Sequence, residues 1–367
     1  MEKFDIVDAD GHVFEQDHEL YEFLEPPYQG KPTVLGFPLW PSLDGYHRGA
    51  IHSRLGIHKA FETSAATWID LLDTTGIAAT VLYPSAGLAS AFIRDPDWAI
   101  ALTRAYNNWL ADRYLKQSPR LCGMALLPLQ DIAEAVKELT RAVTKMGMLG
   151  AVLPAVGLSR PLGDLGFDPL YAEAERLGCA LGVHGGPTQA LGLERLEEFA
   201  QVHTLSHPIA QMVQVTSIVM GGVLDRFPKL RIAFLEAGIG WVPFLFDRMD
   251  RSYRGRKFSE YIGPVKNAPS TYLKMSAIYF GIDPTETSLA YASGIIGTDY
   301  LLYSSDFPHE ANRERCQEEI VQLARAEEFS KEERSGILGG NARRFYAMEA
   351  ACSARGREAV PISVHKI

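Results

Sequence analysis

Eight short apolar runs recur along the 367-residue chain, and stretches of helical periodicity separate them. The runs are FDIVDAD (4–10), ATVLYP (79–84), LCGMALLP (121–128), LGAVLP (149–154), ALGVHG (180–185), RIAFLEAG (231–238), YLKMSA (272–277) and LLYSSDFP (301–308). Most are nearly continuous in apolar residues, the pattern of strands buried on both faces of a parallel sheet. The segments between them carry helix start and stop signals. TSAATWIDLLDTTG opens with a Thr/Ser cap and ends at Gly76, and DIAEAVKELTRAVTKMG has an Asp cap with Gly147 just past its end. Eight strands alternating with helices give the count of a (β/α)8 TIM barrel, an α/β fold. A doubly wound open sheet is the alternative, but it usually carries a Gly-rich nucleotide loop after its first strand. The DGHVFE found there is no such loop.

Two regions interrupt the repeat. Residues 16–62 contain PPYQGKPTVLGFPLWPSLDGYHRG, rich in Pro, Gly and aromatics. A connection that long without periodicity is usually functional or a small subdomain. Leaving the C-terminal end of strand 1, it is expected to cap the barrel mouth. Residues 349–367 read as a tail or as an arm to a neighbouring subunit. The expected organisation is one barrel domain over 1–348, with the 16–62 insertion, followed by that tail.

The formal net charge of −9, with no Lys/Arg cluster to offset it, argues against a nucleic-acid or anionic-membrane partner. No run approaches the about 18 apolar residues of a membrane span. The N-terminal MEKFDIVDADG lacks the basic and apolar regions of a signal peptide. Cys122, Cys179, Cys316 and Cys352 are scattered without CxxC spacing, as expected in a reducing compartment. A soluble, cytoplasmic protein is the expectation.

In a barrel, functional side chains gather at the C-terminal ends of the strands. Those ends read Asp10 and His12 on the first, His184 on the fifth, Glu236 on the sixth and Asp306 on the eighth. Asp8, Asp10 and His12 alternate along an extended segment and so share one face. His207, in TLSHPIAQM, falls at the expected start of the helix after strand 5. A lone histidine such as His184 is more often a hydrogen-bonded structural residue than a ligand. The set is different, because unpaired carboxylates ending otherwise apolar strands are too costly to be there for packing. Together these residues point to a metal site.

DADGHVFE, VHGGP, GGVLDRFPKLRIAFLEAGIGWVPF and YSSDFPHE together resemble the amidohydrolase superfamily. The resemblance is to amidohydrolase family 2, the branch of aminocarboxymuconate semialdehyde decarboxylase and related metal-dependent hydrolases. It spans nearly the whole barrel. It implies a distorted (β/α)8 barrel with one or two divalent metals per chain, most often Zn²⁺ or Mn²⁺, and a homodimer or larger homo-oligomer. Carried over residue by residue, it implies Asp10, His12, His184 and Asp306 as ligands, two nitrogens and two oxygens. On strand 6 the chain departs from the decarboxylases, which typically place a proton-transferring histidine where Glu236 stands. Glu236 then permits two readings. It is a general base beside a metal-activated water, or it joins His207 in holding a second metal. In the second case three imidazoles and three carboxylates form a dinuclear centre, a set that also suits iron.

The leading expectation is a metal-dependent hydrolase or decarboxylase-like lyase, with Glu236, His207 and Asp306 as the catalytic groups. Its substrate is a small, cyclic or aromatic carboxylate or carbonyl compound. The alternative is a dinuclear non-haem iron (or Fe/Mn) monooxygenase on the same ligands. A non-catalytic barrel subunit is a third possibility, against which the full set of candidate ligands argues. Asp8 is expected to support a ligand from a deeper layer, and Glu15, His309 and Glu310 to touch ligands or substrate, His309 being equally readable as loop surface. His18, His47, His52, His58 and His203 read as structural or solvated. Phe37, Trp40, Tyr46 and Trp68 either line an apolar pocket or hold the insertion down. Arg48, Arg54 and Arg160 are the loop cations available for a substrate carboxylate.

Overall fold

In the computed structural model, which describes residues 4–30, 38–43, 63–186, 188, 191–255, 264–275, 277–309 and 311–348, each strand pairs in parallel with the next in sequence. The strands are β1 (Ile6–Val13), β2 (Ile77–Pro84), β3 (Leu121–Ala125), β4 (Gly150–Pro154), β5 (Ala180–His184), β6 (Arg231–Leu235), β7 (Ala277–Ile282) and β8 (Leu301–Tyr303). Two backbone bonds span the gap between β8 and β1. The Asp306 N–H donates to the Asp10 carbonyl at 3.0 Å, and the His12 N–H donates to the Phe307 carbonyl at 2.8 Å. The α/β (β/α)8 barrel expected from the sequence is the fold, and its seam is closed by residues of the strand ends singled out above.

The principal helices are α1 (Asp17–Phe23), α2 (Ala65–Thr75), α3 (Pro96–Leu110), α4 (Ile132–Met146), α5 (Asp168–Leu177), α6 (Phe199–Met220), α7 (Trp241–Arg254), α8 (Pro269–Met275), α9 (Leu289–Ile296) and α10 (Arg313–Arg325). The caps behave as the sequence predicts. Ser64 accepts from the Thr67 N–H at 3.1 Å, Asp131 accepts from the Glu134 N–H at 3.1 Å, and Gly76 and Gly147 end α2 and α4 in the left-handed region. No helix among the described residues is long and apolar enough to cross a membrane.

Two elements differ from the sequence reading. YLKMSA was expected as the seventh strand, but its first residues belong to α8 and the strand follows as AIYFGI. A strand buried on both faces has no place for Lys274, whereas AIYFGI is wholly apolar and rich in strand-forming residues. His207 does not start a helix. Helix α6 begins at Phe199, with Glu198 and Gln201 forming a capping box, and Pro208 lies inside it. Proline favours a first turn, which is why the sequence suggests a start there, yet the helix already runs two turns before it, capped at Glu198 and with Val202, Ser206 and His207 buried. Of the 16–62 insertion, α1, Leu39, Trp40 and Leu43 are described, and Leu43 reaches the loop after β5 beside Gly186. Most of the rest, with Phe37, Tyr46, His47, Arg48, His52, Arg54 and His58, lies outside the described residues, as do Glu310 and the tail.

Strand β1 carries one more residue than β2 between Asp8 and Gly11, since Asp8 pairs with Thr80 and Gly11 with Leu82. Such a bulge rotates the side chains beyond it relative to those before it. The Asp8 carboxylate consequently lies on the side of the strand where a Gly11 Cβ would project, away from the face shared by Asp10 and His12. The expectation that all three share one face fails for this reason. Gly11 itself is required by close approach. An added Cβ would lie 2.4 Å from Trp68 Cη2, 2.7 Å from Thr80 Oγ1 and 2.8 Å from Asp8 Oδ2. Gly11→Ala is therefore expected to cost about 1–3 kcal/mol through overpacking, read as a lowered urea midpoint. A midpoint equal to that of the parent chain would refute this crowding.

Candidate active site

Six polar side chains converge at the C-terminal ends of β1, β5, β6 and β8 with one residue of α6. Asp10, His12, His184 and His207 are buried, while Glu236 and Asp306 open onto a cavity of about 260 Å³. His12 Nδ1 lies 3.0 Å from the Pro84 carbonyl, and His184 Nδ1 lies 2.9 Å from that of Gly185. A carbonyl only accepts, so in each ring Nδ1 carries the proton and Nε2 is turned inward. There His12 Nε2 stands 3.6 Å from Asp10 Oδ1 and 3.5 Å from Asp306 Oδ1. His184 Nε2 stands 3.3 Å from Asp10 Oδ2 and 3.2 Å from Glu236 Oε2, and His207 Nε2 stands 3.2 Å from Glu236 Oε1.

Both Asp10 oxygens and the Nε2 atoms of His12, His184 and His207 are buried without a hydrogen-bond partner. Lone pairs of imidazole and carboxylate aimed at one centre repel unless a proton or a cation lies between them. The donor set of nitrogen and carboxylate oxygen fits a divalent transition metal. Asp10, His12 and His184 offer ligand atoms within 4.8 Å of one another, as do His12, Glu236, Asp306 and His309, and so do His203, His207 and Glu236.

The charges answer to one another. Burial opposes protonation of His184, but the Asp10 and Glu236 carboxylates outweigh it and raise its pKa to about 10. His207 is likewise raised against its burial by Glu236. His12 is held well below the ordinary histidine value by burial and by His309 and His184. For Glu236, burial is outweighed by His207 and His184, and its carboxyl lies well below the usual range. Burial, with Glu236 adding to it, pushes Asp306 up to about 6.

Glu236 and Asp306 share a backbone peculiarity, with φ of 52° and 50°. A non-glycine residue there costs roughly 1–2 kcal/mol, and surrounding bonds hold it. Beyond Glu236, the Glu286 carboxylate accepts from the N–H groups of Ile239 (2.9 Å) and Gly240 (2.7 Å), and the Trp241 indole donates to the Ala237 and Gly238 carbonyls. Beside Asp306, Asp8 accepts from the Ser305 N–H (2.8 Å) and hydroxyl (2.9 Å) and from Thr80 Oγ1 (2.7 Å). Asp8 thus supports the seam of the barrel.

Of the two readings of His309, contact with a ligand is the one the structure takes: its Nδ1 lies 3.1 Å from Asp306 Oδ1, its Nε2 lies 2.7 Å from Ser85 Oγ, and its ring centre is 4.1 Å from that of His12. One neighbour escaped the sequence reading. His203 stands one turn before His207 on α6, ring centres 4.9 Å apart. That spacing of four was legible, but a helix thought to start at His207 hid it. Glu15 serves the same region by accepting from the N–H groups of Ser85, Ala86 and Gly87. Trp40 and Trp68 are buried in the core, and the Trp68 indole donates to the His12 carbonyl at 3.1 Å, so Trp68 braces β1 from outside the cavity. Arg160 pairs with Asp164 and does not line the cavity. Among the described residues the cation that does is Arg315, bonded to Glu319 at 2.8 Å.

The barrel with this cluster at its strand ends defines an enzyme of the amidohydrolase type. Residues 73–348 match the amidohydrolase family model, and the chain belongs to that family. It is 24% identical over 258 residues to the 2-amino-3-carboxymuconate-6-semialdehyde decarboxylase of Dictyostelium discoideum, covering 69% of this chain and 68% of that one. It is 27% identical over 322 residues to the gamma-resorcylate decarboxylase of Rhizobium sp. (strain MTP-10005), covering 78% and 88%. Among solved structures it resembles a dihydroxybenzoic acid decarboxylase from Polaromonas sp. JS666 with bound manganese and the inhibitor 2-nitroresorcinol. That match has a TM-score of 0.71 and 20% identity, and covers 95% of this chain and 98% of that one.

The raised Asp306 carboxyl makes a prediction about the metal-free chain. Unfolded, the group ionises near 3.8; folded, near 6, so above pH 6 its charge weakens the fold. Asp306→Asn, which also tolerates the left-handed backbone better, is expected to gain about 1–2 kcal/mol at pH 8. The gain should fade as the pH falls towards 4. Thermal melts of chelator-treated protein at the two pH values test it, and equal or lower stability of the variant at pH 8 is the contrary result.

Proposed function

We propose that the protein is a metal-dependent carboxy-lyase that decarboxylates a small aromatic carboxylate. The observation that carries the reading is the set of inward Nε2 and carboxylate atoms, buried without partners, at the floor of a cavity sized for one substituted ring. The decarboxylase relatives, one with manganese bound, support it. On this reading Asp10, His12, His184 and Asp306 hold one divalent cation, manganese before zinc. When bound, the cation supplies positive charge that draws a substrate oxygen into position.

The rest falls to the chain. Ala237, Gly238, Ile282, Pro284 and Ala311 give the cavity apolar walls that take the ring and exclude water. His207 Nε2, 3.2 Å from Glu236 Oε1, whose charge favours the protonated imidazole against its burial, donates its proton to the ring carbon that bears the carboxylate. The carbon–carbon bond then breaks, its electron pair returns to the ring, and carbon dioxide leaves. Glu236 does not replace the histidine of related decarboxylases alone; the His207–Glu236 pair does. A hydrolase would use the same pair as a base towards water.

A second reading follows from the grouping of His203, His207 and Glu236. A second cation there would take the His207–Glu236 pair as ligands and remove the proton donor, leaving a dinuclear centre of the kind an iron monooxygenase needs. Metal count therefore separates the two readings. As to assembly, six of the eight large apolar side chains exposed among the described residues lie on α6 to α9: Leu205, Val213, Phe244, Met275, Tyr291 and Ile295. That clustering supports a homo-oligomer.

Elemental analysis of protein purified without added metal is expected to give about one manganese or zinc per chain, and about two metals including iron would favour the oxygenase. His184→Ala is expected to lose the metal, and full occupancy there would overturn the ligand assignment. With manganese-loaded enzyme and a panel of hydroxybenzoates, carbon dioxide release is expected. In deuterated water the product should carry one deuteron at the former carboxylate carbon. Glu236→Gln should keep its metal and lose turnover by about 100-fold or more.

A further inference from the structure

Helix α6 turns a polar row towards the barrel, with His203, His207 and Gln211 following one another at intervals of four residues and so sharing one face. Gln211 is fully buried. Its Nε2 donates to two carbonyls, those of Val183 at 3.0 Å and Leu235 at 2.9 Å. Val183 immediately precedes His184, and Leu235 immediately precedes Glu236. Val183 is the last but one residue of β5 and Leu235 the last of β6, where the ladder pairs Val183 with Phe234 and His184 with Leu235 and then ends. Past that point Glu236 adopts its left-handed backbone and leaves the strand direction. Two carbonyl acceptors fix which end of the amide faces the sheet, because an amide oxygen there would meet two lone pairs.

We propose that Gln211 is a positioning residue for the site: a single buried amide that sets the separation of His184 and Glu236 and ties both to His207. The pair His184 Nε2–Glu236 Oε2 and the pair His207 Nε2–Glu236 Oε1 both stand at 3.2 Å, and both depend on where the end of β6 lies relative to β5 and α6. Backbone hydrogen bonds between β5 and β6 hold the strands side by side but stop short of Glu236. Gln211 adds a side-chain bridge between the two strands at that last step, one helix turn after His207. The role rests on the reading of His184, His207 and Glu236 as metal-site or proton-handling residues. Its geometric content does not, since the clamp acts on the backbone whatever those side chains do.

Helix α6 also supplies an internal control. Gln214, three residues on, is likewise buried and likewise bridges two backbone groups, donating to the Ala155 carbonyl at 2.8 Å and accepting from the Leu162 N–H at 2.9 Å. Those groups follow β4, and although the Ala155 N–H donates to the His184 carbonyl at 2.8 Å, neither is bonded to β6 or to Glu236. Replacing either glutamine by methionine keeps the volume and removes two hydrogen bonds; Gln211→Met also removes an amide oxygen buried without a partner, so Gln214→Met should lose at least as much stability.

The experiment is a manganese titration of chelator-treated wild type, Gln211→Met and Gln214→Met, followed by electron paramagnetic resonance, with crystal structures of the metal-free variants. Gln211→Met is expected to bind manganese about 10–100-fold more weakly, and Gln214→Met within a factor of about 3 of wild type, inside ordinary context scatter. In the metal-free crystals the His184 Nε2–Glu236 Oε2 separation should exceed 3.2 Å only in Gln211→Met. Equal manganese losses in the two variants, or an unchanged separation in Gln211→Met, would overturn the proposal. A wild-type chain that binds no manganese would instead defeat the metal reading, and the crystal separation would then decide the positioning role alone.

Discussion

The closure of the barrel between its first and last strands is the constraint on which everything else rests. Strand β8 is only three residues long, and the hydrogen bonds that join it to β1 come from residues beyond its end, Asp306 to Asp10 and Phe307 to His12. The buried Asp8 carboxylate reinforces that seam by accepting from Ser305 on one side and Thr80 on the other, so that three strands meet on one group. A carboxylate in such a place is tolerated because four donors surround it, the Asp10 N–H being the last. The same backbone atoms that seal the barrel belong to Asp10, His12 and Asp306, so the proposed ligands cannot drift apart without opening the fold.

Once the seam is closed, the site is a problem in crowded charge. Three carboxylates and four imidazoles, counting His309, share a space largely shut off from solvent, and burial and the neighbouring charges together set each pKa. Glu236 and Asp306 also sit in a backbone region that only their surroundings enforce. Such local cost is characteristic of sites whose stability is sacrificed for function. A divalent cation would relieve the crowding by standing where the lone pairs converge, and that relief is the physical reason for proposing one.

Helix α6 connects the two themes. It brings His203, His207 and Gln211 towards the strand ends, beside buried apolar residues such as Val202, Val215 and Ile218, and leaves Leu205 and Val213 exposed. The polar row within its buried face lies where the strand ends it covers are themselves polar.

Much of this was legible in the chain. Alternating apolar runs and helix caps specify the barrel, since each is a local pattern that needs no partner to be recognised. Asp10, His12, His184, Glu236 and Asp306 could be found by reading strand ends alone, because a barrel turns all those ends the same way. What the tertiary structure decided is of another kind. The bulge that moves Asp8 off the face of Asp10 and His12 depends on how β1 registers against β2, which no residue of β1 announces. The choice between site and loop surface for His309 was made only when the loop after β8 packed against the cluster, His203 joined it only with helix α6, and AIYFGI displaced YLKMSA as a strand because only one of them could be buried on both faces. Gln211 continues the spacing of four from His203 and His207, but its role is invisible in sequence, for its partners are two backbone carbonyls, and backbone groups are the same at every position until the fold chooses between them.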